Sequence, residues 1–271
     1  MFDASAPAPR LQRSTGAANV VMGPRGLVDL AQSGSAKAML PRMTAGLPEI
    51  AFLNTSGGLA SGDRLSFAVT LQPGARVLAT TQTAERAYRA KAAPARAEVR
   101  LAVGAGGWLD WLPQETILFE GSALCRDTQV DLAPGAGCLL LEMIVLGRLA
   151  MGEEPARIRF RDRRTVRRDG RLIHHDALAL DDAALLRRNG PALLGDARAL
   201  ATLAVVAPHA PDLLARARAV LDEPGVAGAA SAPPGRLVVR CLARDDWPLR
   251  RQVIRLLAAL RPDPLPRIWQ V

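Results

Sequence analysis

A strand–turn–strand unit occurs three times in the central part of this sequence, and the repetition restricts the fold more than any other feature. Glycine- and proline-containing turns fall at 72–75, 104–107 and 134–137. They lie about 30 residues apart, and each joins two segments in which apolar and polar residues alternate. Recurrence at this interval predicts stacked hairpins or coils, that is, a mainly β, β-helix-like body. The repeat is degenerate, so an ordinary β-sandwich is also compatible with it.

The first of these units shows the local chemistry. Apolar residues alternate through 65–71 at the period of a strand. Pro73-Gly74 is a turn dipeptide, because proline presets one φ angle and glycine supplies freedom at the next position. We expect a glycine-rich turn over 54–63 followed by a β-hairpin.

The C-terminal third has a different pattern. Strands are predicted at 199–206 and 237–242, and 225–234 is predicted to be a loop. Helical spacing of apolar residues predicts one helix over 211–222 and a second from Asp246, as N-cap, through Leu260.

The predicted elements divide into two parts of one domain. We expect the whole chain, 1–271, to form a single unit with a β body over 10–195. An α+β portion with two helices follows over 196–271.

Arginine dominates the segment 157–171, which contains eight arginines and two aspartates. Arg159 and Arg161 alternate with apolar residues, which predicts a strand with one basic face, and Asp169-Gly170 predicts a tight hairpin turn. The basic face is either a solvated sheet surface or a patch that binds a partner. With the net charge of +9, it also raises the alternative of a basic nucleic-acid-binding β protein.

Composition restricts the class of protein and the compartment in which it is expected to reside. Hydrophobic residues make up 49% of the chain, which excludes a disordered protein. No apolar run approaches the roughly 18 residues that a membrane span needs, and no secretory signal is evident at the N-terminus. Three widely spaced cysteines argue against a disulfide framework. We expect a cytoplasmic protein that binds neither membrane nor nucleic acid.

Enzymatic chemistry finds little support in the motifs. His174 and Asp176 would share one face of a strand, but no nucleophile elbow accompanies them. The glycines between Gly57 and Gly62 lack the Lys-Ser/Thr of a phosphate-binding loop and precede a strand. Closely spaced metal ligands are absent from the sequence, so no closed metal site is expected.

Glu142 is the most unusual acid, because it interrupts the apolar run 138–146. A carboxylate there is costly unless it is paired, hydrated or exposed. Two interpretations remain open. The side chain lies on a solvent face or pairs with an arginine such as Arg148, or it lines a hydrated interior passage that holds a cation loosely.

Four blocks of residues along the chain form a recognisable series. The first combines Gly57-Gly58-Leu59, Gly62-Asp63-Arg64-Leu65, Thr80-Thr81 and Tyr88-Arg89. The second is Trp111-Leu112-Pro113-Gln114-Glu115-Thr116-Ile117-Leu118-Phe119, the third Leu146-Gly147-Arg148 and the fourth Leu265-Pro266-Arg267-Ile268-Trp269. In this order the blocks resemble the urease accessory protein UreD (UreH) family, and the resemblance extends from about Arg13 to the end of the chain.

The resemblance implies a maturation factor that is not an enzyme. Family members bind the urease apoprotein together with the accessory proteins UreF and UreG, and they help deliver nickel to urease through an internal water-filled channel. The implied fold is an extended β-helix-like body with two C-terminal helices. No tightly bound cofactor is implied, only nickel in transit.

The resemblance also assigns tentative roles to individual residues. On the nickel path it implies Asp63, Glu142 and Asp176. Channel or support roles are implied for Thr80, Thr81, Tyr88, Arg89, Gln114 and Arg148. At 81–85 this chain departs from the family, because Glu85 replaces a lysine and the preceding Pro-Gly is absent. A role for that lysine therefore does not transfer.

Overall fold

The described residues form two facing β-sheets and three α-helices. The computed structural model describes residues 13–42, 46–148, 151–190 and 192–269. The strands are β1 (Thr15–Gly23), β2 (Gly26–Gly34), β3 (Ala36–Met39), β4 (Glu49–Asn54), β5 (Arg64–Leu71), β6 (Arg76–Thr81), β7 (Glu85–Ala87), β8 (Ala95–Val103), β9 (Trp108–Leu112), β10 (Thr116–Leu118), β11 (Ser122–Leu132), β12 (Gly137–Leu146), β13 (Ile158–Arg168), β14 (Arg171–Asp181), β15 (Ala199–Val206), β16 (Val226–Ser231) and β17 (Arg236–Ala243). The helices are α1 (Asp182–Leu186), α2 (Leu214–Ala219) and α3 (Asp246–Leu260).

The two sheets are built from successive coils of the chain. Sheet A has the strand order β14-β13-β11-β8-β5-β1-β2, and sheet B has the order β16-β17-β15-β12-β9-β6-β4-β3. The short strand β10 pairs with β12 of sheet B, and β7 pairs with β10. The central neighbours run parallel in both sheets, for example β5 with β8 and β6 with β9. Each coil therefore contributes one strand to each sheet. This confirms the prediction of a mainly β, β-helix-like body.

The three repeated turns stack on one another where the chain passes from sheet A to sheet B. Gly74 N donates to Ala105 O at 2.9 Å, and Gly106 N donates to Pro134 O at 3.1 Å. The hairpin expected at 65–80 is wrong, because β5 and β6 pair with the corresponding strands of other coils and not with each other. Local alternation and a tight turn are common to both arrangements, and the difference is set by long-range pairing.

Antiparallel strands close the ends of the parallel stack. The predicted hairpin at Asp169-Gly170 is confirmed between β13 and β14, and both turn residues have positive φ, 49° and 76°. Such a turn matches the natural twist of the two strands. The segment 84–97 contains the short strand β7 and an exposed crossing, without helix.

The C-terminal part extends sheet B and covers its outer face. β15 and β17 continue the sheet beyond β12 in antiparallel pairing, and α2 and α3 match the two predicted helices. Two details of the prediction are wrong. The segment 225–234 contains the edge strand β16, and the N-cap of α3 is Asp245, whose carboxylate accepts from Trp247 N at 3.1 Å.

Two hydrophobic cores result from this arrangement. The larger lies between the sheets and includes Phe52, Phe67, Leu101 and Phe160. The smaller lies between sheet B and the C-terminal helices, around Leu203. None of the helices in the described part of the chain is long and apolar enough to cross a membrane.

Candidate functional site

The inner face of sheet A changes from apolar to charged partway along the stack. Parallel in-register pairing places Phe67, Val99, Thr128 and Arg164 side by side on β5, β8, β11 and β13, with Asp176 next on β14. In the adjacent row Leu65 and Ala97 are followed by Arg126 and Asp162. The first coils thus have an apolar interior, and the last ones have a charged interior.

Arg126 is the centre of the charged region. Its guanidinium donates to both carboxylate oxygens of Asp162 at 3.0 Å and to Thr116 Oγ1 at 3.0 Å. It also pairs with Glu142 across the gap between the sheets, at 2.8 Å. Since these side chains are almost completely buried, the cation and the acids must compensate one another in place of water.

Sheet B supplies the opposite wall. Glu142, Thr202 and Arg240 are in-register neighbours on β12, β15 and β17. Leu141 and Leu203 pack on the helix side of the sheet, so Glu142 and Thr202 point toward sheet A by strand alternation. Trp111 Nε1 also lies 3.4 Å from Glu142 Oε1.

A chain of ion pairs connects this interior with the surface. Arg164 lies 3.5 Å from Asp162 and 3.2 Å from Asp176, and Asp176 lies 3.0 Å from Arg240. The Arg240 side chain is 58% exposed, whereas that of Arg164 is 6% exposed. We call this connected group the polar slot, defined by Arg126, Glu142, Asp162, Arg164, Asp176 and Arg240.

Several polar atoms of the slot region are incompletely satisfied. Thr128 Oγ1, Arg164 Nε and Asp176 Oδ2 are buried, and none makes a hydrogen bond of good geometry with the described residues. At two of these atoms the contact is an ion pair, because Arg164 Nε lies 3.5 Å from Asp162 Oδ2 and Asp176 Oδ2 lies 3.2 Å from Arg164. The slot thus combines direct ion pairs with buried polar atoms that lack a geometrically good hydrogen bond among the described residues.

Burial and ion pairing act in opposite directions on the acids. Burial raises the pKa of Glu142 although Arg126 opposes the shift. At Asp162 burial also acts upward, but attraction from Arg126 and the hydrogen bonds to it prevail and lower the pKa. The pKa of Arg126 is raised despite its burial, because Asp162 and Glu142 stabilise the charged form.

Of the three acids expected on a metal path, two belong to the slot. Glu142 is buried and paired with Arg126, not with Arg148, and it does not lie on a solvent face. Asp176 follows at the outer end. Asp63 lies elsewhere, where its carboxylate accepts from Ser14 N at 2.8 Å and Ala60 N at 2.7 Å. Asp63 thus holds the glycine-rich turn against the start of β1.

Thr80, Thr81 and Gln114 meet the C-terminal segment. Thr80 Oγ1 donates to Leu112 O at 2.6 Å and accepts from Trp269 Nε1 at 3.3 Å. Thr81 Oγ1 accepts from Gln114 N at 2.9 Å, and Gln114 Oε1 accepts from Arg250 at 2.7 Å. These contacts fasten α3 and the chain end to sheet B.

Tyr88, Arg89 and Arg148 lie at the exterior. The hydroxyl of Tyr88 donates to Gly57 O at 3.2 Å, and its ring contacts Phe119 edge-on. The guanidinium of Arg148 stacks on the ring of Phe119, 4.7 Å from the ring centroid, and it forms an ion pair with Glu153. Arg89 lines a surface cleft with Lys91. The nine predicted residues therefore do not converge on one site.

Sequence reasoning missed the cations of the slot. Arg126 shares the strand parity of the buried Leu124 and Val130, and Asp162 and Arg164 share that of Phe160 and Val166. The sequence signal for the slot is that charged residues occupy strand positions that, by alternation with their neighbours, face the interior.

The same geometry bears on two alternatives, a catalytic pair of His174 and Asp176 and a site that holds a metal ion tightly. His174 shares a face with Asp176 as predicted, but Asp176 is engaged by Arg164 and Arg240. Among the described residues, no three His, Cys, Asp or Glu side chains are grouped so that they could hold a metal ion.

The coils are stacked, and their interior is apolar in the first coils and charged in the last ones. These features define the chain as a β-solenoid protein with a polar slot at one end. Comparison with known proteins narrows the class. The model of the UreD urease accessory protein family matches residues 14–270. The chain belongs to this family.

Similar proteins cover the chain almost completely. The urease accessory protein UreD of Paracoccus denitrificans is 73% identical over 271 residues, which is all of this chain and 97% of the relative. UreD of Cereibacter sphaeroides strain ATCC 17029 is 65% identical, with 97% of each chain covered. UreD of Dinoroseobacter shibae is 49% identical, with 97% of this chain and 94% of the relative covered.

Proposed function

We propose that this protein takes part in the maturation of urease without catalysing a reaction itself. In this role it binds the urease apoprotein together with UreF and UreG and helps deliver nickel through the polar slot. Identity of 73% over the full chain to a urease accessory protein supports the maturation role. The slot is the observation that carries the finer proposal of a nickel path.

The slot is difficult to explain as a device for stability alone. Replacing a buried ion-pair network by apolar side chains is often neutral or stabilising, because desolvation offsets the attraction between the charges. The first coils show that this fold accepts apolar side chains at the corresponding positions, such as Phe67 and Val99. A polar interior in the last coils is therefore better explained by a requirement for transport.

The composition of the slot suits transit and not storage of a cation. Carboxylate and water oxygens bind nickel less firmly than thiolate or imidazole would. Arg126 and Arg164 compete with any cation for Glu142 and Asp176, which weakens binding further. An ion that enters beside Arg240 would meet Asp176 before Glu142. In this proposal, Asp63, Thr80, Thr81, Gln114, Tyr88, Arg89 and Arg148 support the surrounding structure.

Isosteric neutral variants separate transport from folding. We expect Glu142→Gln and Asp176→Asn to leave complex formation intact and to lower the nickel content and activity of coexpressed urease several-fold at limiting nickel. Asp212→Asn, which removes an exposed acid of the C-terminal part outside the slot, is the matched control and should have no effect.

Two outcomes would contradict different parts of the proposal. Normal nickel loading with both slot variants would eliminate the nickel path. Normal loading of urease at limiting nickel without this protein would eliminate the maturation role itself. Co-purification with urease, UreF and UreG, measured in parallel, tests the predicted partners.

A further inference from the structure

The outer face of sheet A carries a row of arginines that the polar slot does not involve. In-register pairing aligns Arg64, Arg96, Cys125 and Arg161 across the parallel strands β5, β8, β11 and β13. Neighbouring strands are about 4.8 Å apart, so the guanidinium groups can reach one continuous surface. Arg96 and Arg161 line a groove of about 580 Å³ on this face.

The arginines of this row differ from the other arginines on the same face. Arg100 pairs with Glu98 at 3.2 Å, and Arg163 pairs with Asp127 at 2.6 Å. By contrast, the exposed guanidinium groups of Arg64, Arg96 and Arg161 have no ion pair or hydrogen bond with any described residue. We call these three residues the unpaired row.

Further cations continue the positive surface at the end where these strands begin. Arg89 and Lys91 lie in a cleft of about 270 Å³ with Arg159. The guanidinium of Arg159 makes only a long contact with Ala92 O, at 3.5 Å. Asp182 also lines this cleft, but the cations outnumber it. Like charges in excess repel one another, and an anionic partner would relieve this repulsion.

The face alternates in charge in a way that favours a polypeptide over a nucleic acid. The row next to the unpaired row contains Glu98 and Asp127, and each of these acids pairs with an arginine of the same face. The unneutralised positive charge is therefore confined to a short row and does not form the broad basic surface that a continuous phosphate backbone would need. Phe160, the aromatic residue of β13, is buried on the opposite side, so it offers no stacking surface for bases. Arginine is well suited to carboxylates, because its planar fork donates two parallel hydrogen bonds.

We propose that the unpaired row of sheet A docks an acidic segment of a partner protein, whose carboxylates pair with Arg64, Arg96 and Arg161. This surface lies on the side of sheet A opposite the polar slot. The proposal therefore does not depend on nickel transport.

A pair of double variants with equal charge change tests the docking surface. The probe is a fluorescently labelled peptide of alternating glutamate and threonine, titrated with the full chain and followed by anisotropy at low and physiological salt. For R96Q/R161Q we expect affinity to fall about tenfold or more, because two desolvated charge contacts are lost. For R100Q/R163Q, which removes cations already paired within the protein, we expect less than about threefold.

Charge reversal and a nucleic-acid probe complete the experiment. R96E/R161E should lose the glutamate peptide and gain binding to the corresponding lysine peptide. Equal losses in the two double glutamine variants would overturn the proposal, as would absence of peptide binding by the unaltered protein. Tighter binding of a DNA duplex than of the glutamate peptide would replace the acidic partner by a nucleic acid.

Discussion

Substitution of Arg126 by methionine is the most informative perturbation of the polar slot. Arg126 joins Asp162 on β13 to Glu142 on β12, so this side chain connects the two sheets electrostatically. Methionine reproduces the unbranched stem of arginine up to the position of Nε and lacks the guanidinium group. The change therefore removes the charge while largely preserving the packing of the stem.

The expected cost follows from the two acids that remain. Removing one partner of a buried ion pair costs about 3–5 kcal/mol, because the other charge stays buried without compensation. Here Glu142, with a side-chain exposure of 4%, loses its ion-pair partner, and Asp162, with 0%, keeps only Arg164 at 3.5 Å. A loss at the upper end of that range would lower the melting temperature by roughly 10–15 °C in a chain of this size.

The pH dependence identifies the mechanism. Without Arg126 both carboxylates take up protons at a higher pH when folded than when unfolded, so protonation stabilises the folded variant. The difference in unfolding free energy between the natural protein and the variant should therefore be largest near pH 8 and shrink as the pH falls toward 5.

Denaturant unfolding at several pH values measures this difference. Arg163→Met, which breaks an exposed pair between the same two strands, β13 and β11, is the control and should cost less than about 1 kcal/mol. A cost at Arg126 no greater than this, or a difference independent of pH, would refute the view that the slot is a tightly coupled charge network.

Two further perturbations test other parts of the structure. Gly58→Ala should destabilise more than Gly57→Ala in denaturant unfolding. Both positions have positive φ, but only at Gly58 would the new Cβ overlap the ring of Tyr88 and approach Arg86 O at 2.7 Å. Equal costs would contradict this account. Burial chiefly lowers the pKa of His174 from 6.5 to about 4, so the unfolded chain binds more protons between these values and stability should fall as the pH drops through that window. His174→Gln should flatten the stability profile there, and an unchanged slope would exclude His174 as its source.

The sequence predicts the fold well where information is local. Strand alternation, the three turns and Asp169-Gly170 are visible within short windows, and their constant spacing indicates stacking. Pairing between coils is not local, and for this reason the unit at 65–80 was assigned to a hairpin. Likewise, β16 is rich in alanine and glycine and carries no strand signal of its own, since its pairing with β17 determines its conformation.

The site was less predictable for the same physical reason. Glu142 is conspicuous because a charge interrupts an apolar run, yet its partner cannot be read from nearby residues. Arg148 is close in sequence but stacks on Phe119 at the surface, whereas Arg126 comes from another coil and reaches Glu142 across the two sheets. The register of β11 against β13 then brings Asp162 to Arg126. Sequence distance is thus a poor guide to contacts in a stacked β fold.

The same register explains how this fold can confine a polar interior to one end. Each inward row is a line of side chains from successive coils, so the character of the interior can change from strand to strand without altering the backbone. Phe67 and Val99 seal the row at one end, and Arg164 and Asp176 continue it toward the exposed Arg240. The charged row therefore reaches the surface at Arg240, beside β14, and ends at apolar packing on the other side. In the nickel path proposed above, a cation would accordingly enter beside β14 and could not continue into the apolar first coils. It would have to leave past Glu142 and across sheet B.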